Sequence, residues 1–357
     1  MIRPEPNGFK ISPTEFEIVF NFDNILNQWS NLKVFHYGSY ETYFSPRATA
    51  INYAEGIIEG IKACLDNKEK NAVVLHLDGN AERFAHSAIG MYMPPFPEEK
   101  FMTAVKKLIH LNSQCIPAYK KGSLYIRPIE GGEDNLGVKG IPNEYKYPYK
   151  TVFWCSPVGI YAGKPPICYV TYKVRATRGG TGFYKASCNY VAAKLALRKA
   201  VTQGCDEVIF IEIDQITGND KIQEFSVMNA FMVKNGVLCT PSLGNETILP
   251  GLTREMIIRI ATAINIPFNI GEVKLEDFID ADEVFGTGTA ASVTPIVGFI
   301  IDRISHIFPV NEKSVGPITQ KLSRIIEHLQ VNELPEEYKN NKDLIKLQKE
   351  ITTIIPL

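Results

Sequence analysis

Ser226-Val227-Met228-Asn229-Ala230-Phe231-Met232-Val233-Lys234-Asn235-Gly236-Val237-Leu238-Cys239-Thr240 reads as two strands, over 226–233 and 237–240, either side of a Lys-Asn-Gly turn. The Asn-Gly pair suits a tight hairpin, whose central residues need positive φ that Gly adopts freely and Asn tolerates. Downstream, the apolar spacing predicts a helix over 253–264, a strand over 268–273, a short helix over 276–279 and a strand over 283–285. Beyond Val331 the chain is charged and reads as helical, with no chemistry of its own. Upstream lie a polar turn, a buried strand over 207–213, a helix over 189–201 and the glycine-dense stretch Arg178-Gly179-Gly180-Thr181-Gly182. The first half predicts helices over 53–65, 81–92 and 98–112, with strands over 72–77, 123–129 and 151–156. Hairpins in both halves among helices argue for α+β layers. The Gly- and Pro-rich loop over 157–166 is the expected linker. The expected division is a smaller α/β-type domain over 1–156, a linker over 157–174 and a larger domain over 175–357.

With 357 residues, 45% hydrophobic and 22% charged, the chain is long enough for two cores and balanced as globular proteins are. A net charge of −1, with no local run of Lys and Arg, gives no electrostatic reason for a nucleic-acid partner. The opening Met1-Ile2-Arg3-Pro4-Glu5-Pro6-Asn7-Gly8 lacks the basic and apolar regions of a secretory signal, and no segment approaches the roughly 20 apolar residues of a membrane span. A cytoplasmic protein without a membrane partner is therefore expected. Seven scattered cysteines without a Cys-x-x-Cys read as reduced thiols, with neither a disulfide framework nor a metal site.

Four features could share one site: a lysine after a glycine-rich loop, a glutamate beside a strand, two polar entrances, and an arginine on a first-half strand. The run Gly179 to Lys185 lacks the Gly-Lys-Ser/Thr of a phosphate loop, so nucleotide binding fails on spacing. Lys185 taken alone reads as a solvated lysine or, if desolvated, as an amine able to attack a carbonyl. Leu249-Pro250-Gly251-Leu252-Thr253-Arg254 enters a helix and Gly286-Thr287-Gly288-Thr289-Ala290-Ala291 follows a strand. Each is an ordinary cap or turn, or one half of an anion cup built from backbone N–H groups. Glu224 and Arg127 have the same double reading, as surface charges or as site residues.

Read in order, Gly179-Gly180-Thr181-Gly182-Phe183-Tyr184-Lys185, Asn189-Tyr190, Glu224 with Met228-Asn229, the Leu249 to Arg254 string and Phe285-Gly286-Thr287-Gly288-Thr289-Ala290 resemble the successive signatures of branched-chain amino acid aminotransferases. These are class IV, fold type IV, pyridoxal 5'-phosphate enzymes. Tyr53, Glu59-Gly60-Ile61-Lys62-Ala63, Asn80-Ala81-Glu82-Arg83, Leu124-Tyr125-Ile126-Arg127-Pro128 and Leu136-Gly137-Val138 extend the likeness, which runs from about Tyr53 to about Lys321.

The resemblance implies that Lys185 is the Schiff-base lysine and the general acid and base. It implies that Glu224 pairs with the cofactor's ring nitrogen and Tyr190 with its 3-oxygen. It places Arg83, Leu252, Thr253 and Thr289 around the phosphate. Tyr53, Tyr125 and Arg127 would line the substrate pocket from the smaller domain, with the Ala290 and Ala291 N–H groups on the substrate's α-carboxylate. It implies amino acid and 2-oxo acid substrates, a cleft between the domains, and a homodimer or higher homo-oligomer. Val227, Ile58, Phe183 and Cys188 depart from the family pattern, and Ala291-Ser292-Val293-Thr294 fills the stretch where mammalian members carry paired cysteines. The rival readings are a D-amino acid aminotransferase, an aminodeoxychorismate-lyase-like enzyme, and a non-enzymatic paralogue.

Overall fold

Along the strand Gly122–Gly132 almost every position is buried, as it is along Tyr149–Gly159, with which it pairs from end to end. Burial at odd and even positions alike means that both faces of the sheet are covered, since successive side chains point to opposite faces. This is a computed structural model of the chain, and it describes residues 3–133, 148–160, 165–212, 220–301, 304–307 and 315–357. The first sheet runs Thr352–Pro356, Asn71–Leu75, Ile61–Leu65, Gly122–Gly132, Tyr149–Gly159, Phe16–Asp23, Gln28–Trp29. Lys33–His36 joins Phe16–Asp23 and Gly56–Ile58 joins Gly122–Gly132, and every pairing is antiparallel. The helices Leu77–Gly90 and Glu98–Leu111 pack on one face through Phe84, Phe101 and Leu108, around an aromatic cluster that includes Phe20, Phe96 and Phe153.

The second sheet is mixed. Its order is Phe268–Gly271, Val237–Pro241, Asn229–Lys234, Lys221–Phe225, Glu207–Glu212, Ile167–Thr171, Gly298–Ile301, Ile304–Ile307, with Glu283–Gly288 paired to Asn229–Lys234 and Ser292–Ile296 to Glu283–Gly288. Leu252–Ala263, Pro317–Leu329 and Lys342–Ile351 cover one face over Phe231 and Phe285, whose rings stack with centroids 5.1 Å apart. Phe225, Phe278 and Phe299 fill the other side. The hairpin at Asn235-Gly236 forms with both residues at positive φ, 51° and 76°.

The layers are α+β, but several elements differ from the sequence reading. Residues 53–65 are not a helix: Gly56–Ile58 and Ile61–Leu65 are strands. Gly60 separates them, and a Cβ there would sit 2.5 Å from Tyr125 Oη, so the close approach of two strands, not helix propensity, decides the residue. The expected polar turn before the central hairpin contains the strand Lys221–Phe225. Within the expected linker, Tyr149–Gly159 runs on past residue 156 and Ile167–Thr171 lies parallel between Glu207–Glu212 and Gly298–Ile301. The last strand, Thr352–Pro356, belongs to the first sheet although it lies within the expected larger domain, because its β-branched Thr-Thr-Ile-Ile run pairs antiparallel with Asn71–Leu75. Leu136-Gly137-Val138 and Ile213 lie outside the described residues.

The two sheets meet along a short seam. Ile58 N donates to Lys185 O at 3.1 Å, Ser187 N to Gly56 O at 2.8 Å, and Ile57 bridges Ala186. This seam carries Lys185 to the wall of a cleft.

Candidate active site

The chain approaches Lys185 through Gly182, where a Cβ would sit 2.5 Å from Thr247 O, so only glycine passes. Asn189 then turns the chain into the helix Asn189–Thr202, its Nδ2 donating to Thr181 O at 2.8 Å and Tyr184 O at 2.9 Å. Lys185 N donates to Ser87 Oγ at 3.0 Å, so backbone bonds on both sides fix the residue. Its Nζ donates to Tyr190 Oη at 3.0 Å. Burial alone would push the Tyr190 hydroxyl up, but the Lys185 charge and hydrogen bond, with Arg127 and Arg175 nearby, bring it below its ordinary value. Tyr190 Oη is thus an oxygen tuned to accept.

Glu224, only 2% exposed, marks another wall. It accepts from Asn229 Nδ2 at 2.9 Å and from Leu249 N at 3.4 Å, and it forms an ion pair with the equally buried Arg175. Burial raises its carboxyl above the ordinary range by more than Arg175 and these donors lower it. A carboxylate so desolvated gains from a further positive partner. Asn229 also donates to Leu249 O at 2.8 Å, tying Glu224 to the loop that enters the helix Leu252–Ala263.

That helix presents Leu252 and Thr253 as its first residues, whose N–H groups have no acceptor inside the helix. Thr289, Ala290 and Ala291 form the turn closed by the Gly288 and Ser292 pair. Arg83 uses Nε and Nη2 on Glu59 at 2.7 and 2.9 Å and Nη1 on Pro250 O at 3.2 Å, linking the first-sheet helix to the same loop. Burial works against its charge, and the Glu59 carboxylate more than offsets that, so its pKa ends raised. Five N–H donors on a guanidinium leave two for a ligand.

From the first sheet come Tyr125 and Arg127, with Arg127 Nη2 donating to Tyr125 Oη. Phe9 packs edge-on against Tyr125, centroids 4.8 Å apart. The cavity these walls enclose measures 190 Å³ and is lined by Arg83, Tyr125, Arg127, Lys185, Tyr190, Glu224, Leu252, Thr253, Thr289, Ala290 and Ala291. It thus gathers every residue expected to hold cofactor or substrate except Tyr53. Tyr53 ends the single-turn helix Thr49–Asn52, is 54% exposed and is not among the cleft residues. Within a single chain Tyr53 thus stands at the surface beside this set and not among it.

Sequence reasoning missed Arg175, Phe9 and Thr287, all of which line the cavity. Arg175 had one usable signal: a carboxylate proposed as buried needs a partner, and a lysine- and arginine-bearing stretch precedes the glycine loop. Of the departures from the family pattern, Val227 lines the mouth of the cavity, whereas Ile58 serves the seam through its backbone.

The residues present fit pyridoxal phosphate. Arg127 Nε and Thr287 Oγ1 are buried and find no partner among the described residues, so the walls hold donors suited to a polar ligand. An amine, an acceptor phenol, a buried carboxylate and a helix N-terminus match an aldehyde, a ring oxygen, a protonated ring nitrogen and a phosphate.

The chain belongs to the class IV aminotransferases, whose family model, "Amino-transferase class IV", matches residues 56–299. It is a pyridoxal-phosphate-dependent enzyme. Within that family it belongs with the branched-chain aminotransferases. It is 34% identical over 322 residues to the "Probable branched-chain-amino-acid aminotransferase" of Staphylococcus epidermidis, covering 87% of this chain and 86% of the relative. The branched-chain aminotransferase of the archaeon Thermoproteus uzoniensis, solved with norvaline, superimposes with a TM-score of 0.74 at 26% identity, over 90% of this chain and 97% of that one. The branched-chain amino acid aminotransferase of Escherichia coli gives a TM-score of 0.73 at 25% identity, over 92% of this chain and 98% of that one. Among the described residues no helix is long and apolar enough to cross a membrane, and all seven cysteines are free.

Proposed function

We propose that the enzyme moves the amino group of L-leucine, L-isoleucine or L-valine to 2-oxoglutarate, in two half-reactions that use one cleft. The observation that carries this reading is the convergence of Lys185, Tyr190 and Glu224 with two backbone donor segments and the Tyr125 and Arg127 pair on one cavity. Bound pyridoxal phosphate supplies the electron sink that makes the substrate's Cα proton removable. Lys185 Nζ holds the cofactor at rest, then takes the proton from Cα and returns it at C4′. Its bond to Tyr190 Oη keeps the amine aimed, and the same hydroxyl is placed for the cofactor's 3-oxygen. Glu224 holds the proton on the ring nitrogen, a role its burial strengthens because a charged partner relieves its desolvation. Leu252, Thr253, Thr289 and Arg83 hold the phosphate.

The Ala290 and Ala291 N–H groups receive the substrate's α-carboxylate. Arg127 serves the second carboxylate of glutamate and 2-oxoglutarate and leaves room for an apolar chain otherwise. The first sheet with its helices, and the second with its own, form the smaller and larger domains of this reading. The protein acts in the cytoplasm and as a homodimer, the latter reading supported by the exposed run of Tyr37, Tyr40, Tyr43, Ile51 and Tyr53 on one segment of the first half. The cofactor-loaded enzyme mixed with L-leucine, D-alanine or aminodeoxychorismate tests the assignment. L-leucine alone should convert the bound cofactor to its amine form; conversion by D-alanine and not by L-leucine would transfer the enzyme to the D-amino acid branch of the family.

A further inference from the structure

The turn Thr289-Ala290-Ala291 is closed by the Gly288 and Ser292 pair, and Ser292 has φ 53°, a left-handed conformation that disfavours any residue with a side chain. Behind Ala291, Ser292 and Val293 lies a cavity of 340 Å³. The hairpin pairing sets this backbone, and the Ser292 hydroxyl ties it to two other elements. Ser292 Oγ accepts from Gln330 Nε2 at 2.9 Å and from Lys62 Nζ at 3.3 Å. Lys62 stands on the first-sheet strand Ile61–Leu65, and Gln330 directly follows the helix Pro317–Leu329.

That helix grips the hairpin at both ends. At its start Ile318 N, Thr319 N and Thr319 Oγ1 donate to the buried Glu283 carboxylate at 3.0, 2.7 and 2.7 Å, and Glu283 opens the strand that runs into the turn. Between its ends Leu322, Ile325, Ile326 and Leu329 pack in one core with Phe285 and Val293. A helix of 13 residues is about 20 Å of rigid rod.

We propose that Ser292, Gln330 and Lys62 are positioning residues for the substrate: a brace that sets the direction of the Ala290 and Ala291 N–H groups and so the affinity for the substrate's carboxylate. This rests on the reading that those two N–H groups receive the carboxylate. The brace touches neither the cofactor's ring nor the reacting atoms, so its loss weakens carboxylate binding and leaves proton transfer by Lys185 alone.

The variants Ser292→Gly and Gln330→Leu test it in the cofactor-loaded enzyme. Glycine keeps the left-handed backbone without strain, so the fold is not at risk, but it removes the hydroxyl. Calorimetry with 4-methylpentanoate, a branched carboxylate without an amino group, reads the carboxylate receptor without turnover. Each variant should bind it roughly 3- to 10-fold more weakly, the range of one lost hydrogen bond. KM for L-leucine should rise in step, with kcat within about two-fold and cofactor affinity unchanged. Unchanged affinity in both variants, with the parent enzyme binding normally, overturns the brace alone. A parent enzyme that ignores 4-methylpentanoate removes the carboxylate assignment, and the brace falls with it.

Discussion

The deep wall of the cleft and its rim are held by different forces. At the deep wall, Glu224 is ion-paired with Arg175 and Lys185 donates to the Tyr190 hydroxyl, whose pKa lies below its ordinary value. At the rim, the Ala290 and Ala291 backbone is aimed by hydrogen bonds to the neutral Ser292 hydroxyl, with empty volume behind it. Buried charges that lose a partner are costly, whereas a tethered turn can relax into space. The deep wall should therefore govern whether the reaction happens, and the rim which molecule it happens to.

Substitutions ordered by expected effect can break that division. Lys185→Ala should lower kcat by at least about 10⁴-fold, since one residue supplies both the nucleophile and the proton transfer. A smaller loss in single-turnover assays would move the chemistry elsewhere. For Glu224→Gln, a loss of about 10²- to 10³-fold in kcat is expected from weakened support of the ring nitrogen. It should come with a lowered melting temperature, because Arg175 would keep its charge in a buried site without its partner. Intact activity would show that Arg175, not Glu224, dominates that wall. Arg127→Met should act chiefly on the rim: kcat/KM for 2-oxoglutarate falls about 10- to 100-fold, the value of a charge-assisted contact, and that for L-leucine stays within about three-fold. Equal losses for both would deny Arg127 its part in selecting dicarboxylates.

The smallest effect concerns stability. Burial holds the Lys62 ammonium down to about 8, with a smaller opposing pull from Cys64, so the unfolded chain binds this proton more tightly than the folded one. Its contribution to stability is therefore unfavourable below about pH 8 and is relieved as pH rises from there towards the ordinary lysine value of about 10.5. Lys62→Met should melt higher than the parent at pH 7, with the gap narrowing by about pH 10, while KM for L-leucine rises. A gap that does not change with pH would mean that Lys62 is solvated.

The deep wall was the more legible of the two in the sequence. Lys185, Tyr190 and Glu224 could be named because their spacing along the chain follows one order of motifs, and the glycines that deliver them are forced by close backbone approach. Helices with strong apolar periodicity, such as Glu98–Leu111 and Leu252–Ala263, were recovered within about two residues at either end. What stayed hidden depends on contacts distant in sequence. Gly56–Ile58 and Ile61–Leu65 carry a spacing compatible with a helix, and pairing with Gly122–Gly132, and for Ile61–Leu65 also with Asn71–Leu75, makes them strands. Thr352–Pro356 follows a real helix, Lys342–Ile351, and joins a sheet whose neighbouring strand lies almost the whole chain away. The brace joins residues 62, 292 and 330 through side chains that carry no motif. Tyr53 shows the converse, a motif residue that the fold of this chain leaves at the surface.

Borohydride reduction of the cofactor-loaded protein, followed by peptide mass mapping, reads which lysine holds the cofactor. A single phosphopyridoxyl adduct is expected on the peptide containing Lys185, and none on Lys62, whose ammonium faces Ser292 outside the main cavity. An adduct on Lys62, or the absence of any adduct after loading, would contradict that assignment.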